Sequence, residues 1–387
     1  MALIYLDYMA STPLCKPALQ AMLPFMQQHD PVGNPSSHSH GLASKTQSAM
    51  NQAAQQVADA IGATADSIIW TSGATESNNL AIKGAAEFYQ RKGKHIVTMA
   101  SEHKAVIEPC KALERQGYEV TFLKPQSNGV LLLDDLKAAL RADTVLVSVM
   151  QVNNETGIVQ DIAAISQLVH RVGALLHVDG AQSVGKLPVD VMQLGVDLMT
   201  LSVHKAYGPL GVGALYVRQQ PKVRLAEQLH GGQHQGGLRS GTVPLHQVVA
   251  MGAAFQWATQ QLSSNADRLM QMRDDLWNGL QGMGGVRLNG DFSHQVPHCL
   301  NVSFSSVHMD ALLLAMRDFV VSTGSSCNSA LNQPSHVLQA MGTDDGQARQ
   351  AMRISFGFNT TQQELDLFLS QCSVSVKRLR AIAPSAS

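Results

Sequence analysis

Six short runs of apolar and β-branched residues between positions 67 and 203 constrain the fold of this chain more than any other feature. SIIWT (67–71), HIVTM (95–99), EVTFL (119–123), TVLVSVM (144–150), ALLHV (174–178) and DLMTLSV (197–203) each have strand length and little alternation of polarity. Runs like these belong to strands covered on both faces, so all six are expected to be buried. Helix-like stretches such as ESNNLAIKGAAEFYQRK and DIAAISQLVHRVG separate most of them. That rhythm predicts an α/β fold built on a mainly parallel, doubly wound sheet. VGALYV (212–217), close behind a glycine turn, reads as a further strand of opposite direction.

A long helical pattern over 243–283 separates this region from the C-terminal third. There HCLNVSFSSV and MRISFGF read as strands, and MDALLLAMRDF and TQQELDLFLSQCSVSVKRLR as helices. The chain is too long for one simple core, so we expect two domains. Residues 15–260 are assigned to the large one. Residues 1–14 and 261–387 are assigned to a smaller α+β domain that carries a mobile loop at about 322–334.

Composition narrows the function. With a net charge of −1 and 15% charged residues, the chain has no general surface for nucleic acid or membrane. No apolar run approaches the roughly 18 residues that span a bilayer. The N-terminus MALIYLDYMAST lacks a basic region and places Asp7 in its apolar stretch, which argues against a signal peptide. Cysteines at 15, 110, 299, 327 and 372 form neither a disulfide framework nor a CxxC metal site. The histidines of HSH (38–40) and GGQHQGG lack a defined set of companion ligands, so no metal site is expected. A cytoplasmic enzyme with reduced thiols is the expectation. One thiol stands apart: Cys327 lies in VSTGSSCNSA, among small polar residues rather than the apolar neighbours of a buried cysteine.

Three strand ends carry the chemistry. In LSVHKAYGPLGVGALYV, Lys205 closes an apolar strand just before a Gly-Pro turn. Burial there lowers a lysine's pKa and makes it a usable amine nucleophile, although an exposed turn lysine fits this segment equally well. Ser202 and His204 flank it as donors to a phosphate. In ALLHVDGAQSVG, Asp179 tips a strand, where a buried carboxylate needs a cationic partner such as a protonated pyridine nitrogen. Gln182, a turn later, is placed to bond the phenolic oxygen of such a ring. In SIIWTSGATESNN, the strand, glycine turn and helix start at Gly73, Ala74 and Thr75 form an anion site. Phosphate turn, carboxylate and lysine, in this order, point to pyridoxal 5'-phosphate.

SGATESNN, EHKAV, VNNETG, VDGAQSVGKLP, SVHKAYGPLGVGALY, LRSGT and GSSCNSA, in that order, resemble the motifs of the cysteine desulfurases of the IscS/NifS type. These are fold-type I, class-V aminotransferase-like enzymes, and the resemblance runs from YLDYMASTP to MRISFG. It implies conversion of L-cysteine to L-alanine with sulfur retained as a persulfide on Cys327, on a loop that then offers it to an acceptor protein such as an iron–sulfur scaffold. By the same resemblance His103 stacks on the cofactor and moves protons, Lys205 carries the cofactor, and Arg353 clamps the substrate carboxylate. Asn154 contacts cofactor or substrate. Thr75, Ser202 and His204 hold the phosphate, and Thr242 reaches it from the other subunit of a homodimer. Asn34, in GNPSSHSHG, matches a stretch lining the entrance, and a turn-forming Asn-Pro is an equal alternative. The chain departs from the family pattern in the glycine of VDGAQ, the histidines of SSHSHG and a short tail after VKRLR; the tail bears on scaffold docking. Rival readings are a selenocysteine lyase or aminotransferase on the same fold, or a non-catalytic sulfur-trafficking scaffold.

Overall fold

The computed structural model describes residues 3–26, 33–34, 41–323 and 334–382. Its centre is a seven-stranded sheet: β1 (Ile68–Thr71), β2 (His95–Met99), β3 (Glu119–Leu123), β4 (Thr144–Met150), β5 (Leu175–Asp179), β6 (Leu198–Ser202) and β7 (Gly213–Val217). Their order across the sheet is β1-β7-β6-β5-β4-β2-β3. The pairs β2–β3, β2–β4, β4–β5 and β5–β6 are parallel. β7 runs antiparallel to both of its neighbours, as the glycine turn before it suggests.

Every expected strand of this sheet is present, and helices cover both faces. In β7, Ala214 and Tyr216 join the core beneath the helices Gly41–Asp59 and Ile162–Arg171, whereas Leu215 and Val217 join the core beneath Ala74–Tyr89 and Lys104–Glu114. One expectation needs correction. EVTFL is not a buried strand: β3 is one edge of the sheet, with Glu119 exposed and its other four residues half-buried. Its apolar character reflects partial cover on both faces, with Val120 and Phe122 against one core and Leu123 against the other, and a charged first residue is a common guard on an open edge.

The helical pattern after the sheet is one helix, Leu245–Gln281. Its first half, through Ala258, packs into the core around the sheet; from Leu269 to Leu280 it packs into a second core. The second core lies against a four-stranded antiparallel sheet in the order Ser322–Thr323, Ala351–Ser355, Cys299–Phe304, Val286–Leu288. The chain's beginning belongs here too, because Ile4–Tyr5 pairs with Phe319–Val320 and Leu6 enters the second core.

Parallel strands place their carboxyl ends on one edge of the sheet, and ligand sites form in the crevice beyond those ends. In this chain β1, β5 and β6 lead to Gly73, Asp179 and Ser202 at that edge. The N-terminal segment and the strand Ala351–Ser355 come in from the second core, where Ser355 bridges Asp7.

Candidate active site

A cavity of about 440 Å³ opens where these elements meet. Gly73, Ala74, Thr75, His103, Asn154, Asp179, Gln182, Ser202, His204, Lys205 and Arg353 all line it, as do Met9 and Ala10. Two expected site residues lie elsewhere, and a third lies outside the described residues. Thr242 is exposed and outside this lining, and so is Asn34. Cys327 and most of its expected loop (324–333) lie outside the described residues.

The glycine turn is built for close approach. Gly73 takes φ 147°, a region that side chains disfavour, and caps the helix Ala74–Tyr89 without a side-chain hydrogen bond. Opposite it, a Cβ on Gly213 would lie 2.7 Å from the Gly73 Cα and 2.5 Å from the Leu201 carbonyl oxygen. Glycine at 213 therefore lets β7 pass directly behind the turn, whereas Gly73 serves its positive φ, since a Cβ there would meet nothing within 4 Å. The first N–H groups of a helix have no partner within it, and here they border the cavity with Thr75. Glu76 on the same turn accepts from the Ser72 N–H at 2.7 Å and is paired with Arg239 of LRSGT at 2.7 Å. Burial would raise the Glu76 pKa, but these bonds outweigh it and lower the value.

Asp179 is enclosed and held from both oxygens. Asn78 Nδ2 donates to Oδ2 at 2.8 Å, and the Ala181 N–H donates to Oδ1 at 3.0 Å. Its strand neighbour His177 bonds Ser148 and Thr200, and burial lowers its pKa to about 4. His177 is thus a neutral strut behind the carboxylate.

Lys205 ends a single 3₁₀ turn, Val203–Lys205, and its Nζ donates to the carbonyl oxygens of Met9 (3.0 Å) and Ala10 (3.3 Å). His204 beside it lies 3.4 Å from the Ser11 hydroxyl, and burial with the nearby Lys205 and Lys186 lowers its pKa to about 4. Gln182 Nε2 donates to the same Met9 carbonyl at 2.8 Å.

His103 is both the cap of a helix and a wall of the cavity. Its Nδ1 accepts the Ala105 N–H at 3.1 Å at the start of Lys104–Glu114. That bond puts the neutral ring's hydrogen on Nε2. Burial lowers its pKa, with Lys205, His336 and Lys104 acting in the same direction and Asp179 opposing.

Arg353 sits in the middle of the strand Ala351–Ser355 and is almost fully enclosed. Nη1 donates to the Asn154 carbonyl and Nη2 to Asp7 Oδ1, each at 2.6 Å. Among the described residues, its Nε and the Asn154 Oδ1 are buried without a protein partner. Buried polar atoms without partners are rare and call for a ligand or solvent to complete them.

Several contributors were not singled out from the sequence, although Asn78, Glu102 and Glu155 lie within SGATESNN, EHKAV and VNNETG: Asp7, the Met9 and Ala10 carbonyls, Asn78, and the buried acids Glu102 and Glu155. Burial raises the pKa of Glu102 well above the usual range, and its Oε1 accepts the Met150 N–H. Burial raises that of Glu155 to about 7, and the carboxylate accepts from the Ser335 hydroxyl. The one signal available for Glu155 was its place in VNNETG, next to Asn154.

This combination of fold and cavity has known relatives. The aminotransferase class-V model matches residues 4–368, and the chain belongs to that family. Its doubly wound sheet with a second α+β unit is the fold-type I arrangement. Cysteine desulfurase IscS of Escherichia coli O139:H28 (strain E24377A / ETEC) is 50% identical over 381 residues, covering 98% of this chain and 94% of that protein. Among solved structures, a NifS-like protein superposes with a TM-score of 0.90 at 33% identity, over 97% of this chain and 100% of that one. SspA in complex with cysteine superposes with a TM-score of 0.81 at 36% identity, over 91% of this chain and 98% of that one.

Proposed function

We propose that this chain is a cysteine desulfurase that uses pyridoxal phosphate and passes the sulfur of L-cysteine to Cys327. The observation that carries the reading is the convergence of Lys205, Asp179, His103 and Arg353, from four separate elements, on one cavity. The residues present fit the cofactor. The glycine turn with Thr75, Ser202 and His204 would hold its phosphate, Asp179 its ring nitrogen and Lys205 its aldehyde carbon. Once bound, pyridoxal phosphate supplies an electron sink that makes the substrate's Cα proton labile.

The chain's own groups do the rest. Arg353, braced by Asp7 and Asn154, binds the substrate carboxylate with its remaining donors. The Lys205 amine and the neutral His103 ring move protons. Cys327 then attacks the substrate sulfur. The carbon–sulfur bond breaks, a sulfur–sulfur bond forms, and L-cysteine with a thiol becomes L-alanine with a persulfide, so no external oxidant is needed.

The described residues on either side of Cys327 support this assignment. Ser322 pairs with Arg353 on one side. On the other, His336 Nε2 lies 2.9 Å from the Glu102 carbonyl oxygen, next to His103. The chain therefore leaves and rejoins the described structure beside the cavity. On this reading residues 15–260 form the cofactor-holding domain, and 1–14 with 261–387 the small domain that supplies Arg353 and Cys327. The persulfide would pass to an acceptor protein, for iron–sulfur cluster assembly or another thiolation pathway. Thr242, exposed here, would complete the site of a second protomer.

The test is an assay of alanine and persulfide from L-cysteine, run with a visible absorption spectrum. The protein is expected to be yellow and to form alanine in step with sulfane sulfur, and Cys327→Ser to stay yellow while losing sulfur transfer. Full activity in Cys327→Ser would overturn the thiol assignment, and a colourless, inactive wild type the whole reading.

A further inference from the structure

Lys186, in SVGKLP, lies between two cavities. Its side chain borders an apolar hollow of about 430 Å³ walled by Tyr8, Leu262, Phe356 and Phe358. Its Nζ turns the other way, toward Gln182 Oε1 and the Met9 sulfur. Enclosing an amine this fully is costly, and nothing in the reaction described above uses it. Burial lowers its pKa well below the usual lysine range, and the nearby charges of Lys205 and Arg353 act in the same direction.

The amide of Gln182 explains the placement. A carboxamide has one accepting end and one donating end. The accepting end is taken by Lys186, which is not part of the lining of the first cavity. The donating end must then face the Met9 carbonyl, to which it gives one hydrogen at 2.8 Å. That carbonyl also accepts from Lys205, so Lys186, Gln182, Met9 and Lys205 form one chain of hydrogen bonds. Among the described residues, the second Gln182 amide hydrogen has no protein acceptor, and Gln182 lines the cavity.

We propose that Lys186 is a positioning residue: by holding the Gln182 amide oxygen, it presents the amide N–H to the ring oxygen of the bound cofactor. The inference rests on the pyridoxal phosphate reading. A donor to that oxygen stabilises its anionic form and lowers the pH at which the Lys205-linked cofactor loses its proton. Other titratable or charged groups face Lys186, namely Lys205, Arg353, Cys299, His204 and His298. A bare charge effect of Lys186 would act on Lys205 without passing through Gln182, which gives the test its contrast.

The experiment is a pH titration of the visible absorption band in the cofactor-loaded proteins. Lys186→Met should raise the midpoint by about one pH unit, the scale of one lost hydrogen bond to a charged oxygen. Gln182→Leu should give a similar rise, and the double variant should rise no further than either single one, because both remove the same donor. Lys186→Arg keeps a donor facing Gln182 and should hold the wild-type midpoint. An unmoved midpoint in Lys186→Met, or a double variant that shifts by the sum of the two, would overturn the inference. So would a displaced midpoint in Lys186→Arg, a result that stands whether or not Lys186→Met folds. A wild type without any band would overturn the cofactor reading and this inference together.

Discussion

Arg353 and Asp7 form an enclosed ion pair, Nη2 to Oδ1 at 2.6 Å, that ties the strand Ala351–Ser355 to the first residues of the chain. The same guanidinium spans to the Asn154 carbonyl, so two of its five donors are fixed by protein and its plane is set by the protein itself. This is preorganisation by an acid and a carbonyl far apart in sequence.

Replacing Arg353 with lysine keeps the charge and removes the fork. A single ammonium at this position could satisfy Asp7 or a substrate carboxylate but not both in the present geometry. Arg353→Lys is expected to lower kcat/KM for L-cysteine by about 10-fold to 100-fold, mainly through KM, with the cofactor band intact. Steady-state kinetics with the absorption spectrum check it. An unchanged KM would remove Arg353 from substrate binding.

The double place of His103 separates two roles by substitution. Asparagine is a good helix cap and alanine a poor one, a difference of about 1 kcal/mol. His103→Asn should therefore melt near the wild type, with His103→Ala below it. Both should lose at least about 100-fold in kcat if the ring moves a proton. Activity preserved in His103→Asn would leave His103 as a cap alone.

Glu155 sets a pH dependence of stability with a definite sign. Its folded pKa, raised to about 7 from 4.5, means that the folded state keeps a proton which the unfolded chain has already released. Burial is the main cause, partly offset by the Ser335 hydroxyl and Arg353. The stability tied to this group is therefore present below 4.5 and lost as pH rises through 7. Glu155→Gln carries no such loss. Its melting temperature should gain on the wild type between those pH values, by on the order of 2–4 °C, and the gap should then level off. Parallel melting curves across the series would show that Glu155 does not titrate in this window.

How much of this was legible in the sequence follows from where each signal resides. The strands of the sheet were readable because each is a continuous apolar run between turns, and Asp179, Ser202 and Lys205 because a polar residue stands out at the end of such a run. β3 was misjudged because a half-covered edge strand and a buried one share β-branched composition; β1, at the opposite edge, is fully buried, so only what packs around each strand distinguishes them. The partners of the site residues were not readable. Asp7, Met9 and Asn78 meet Arg353, Lys205 and Asp179 through tertiary packing, and a carbonyl oxygen contributed by Met9 leaves no trace in residue type. Lys186 lies in the quoted VDGAQSVGKLP but was not singled out there, and its contact with Gln182 required the fold of the turn between them.

The central claim is that Lys205, and no other amine, carries the cofactor. Lys186 makes the test a sharp one, since it is a second buried lysine whose amine lies on the same hydrogen-bond chain. Borohydride reduction of the cofactor-loaded protein, followed by peptide mass mapping, reads the attachment point directly. The expected result is a single reduced adduct on the peptide containing Lys205. An adduct on Lys186 or on any other lysine would contradict the account.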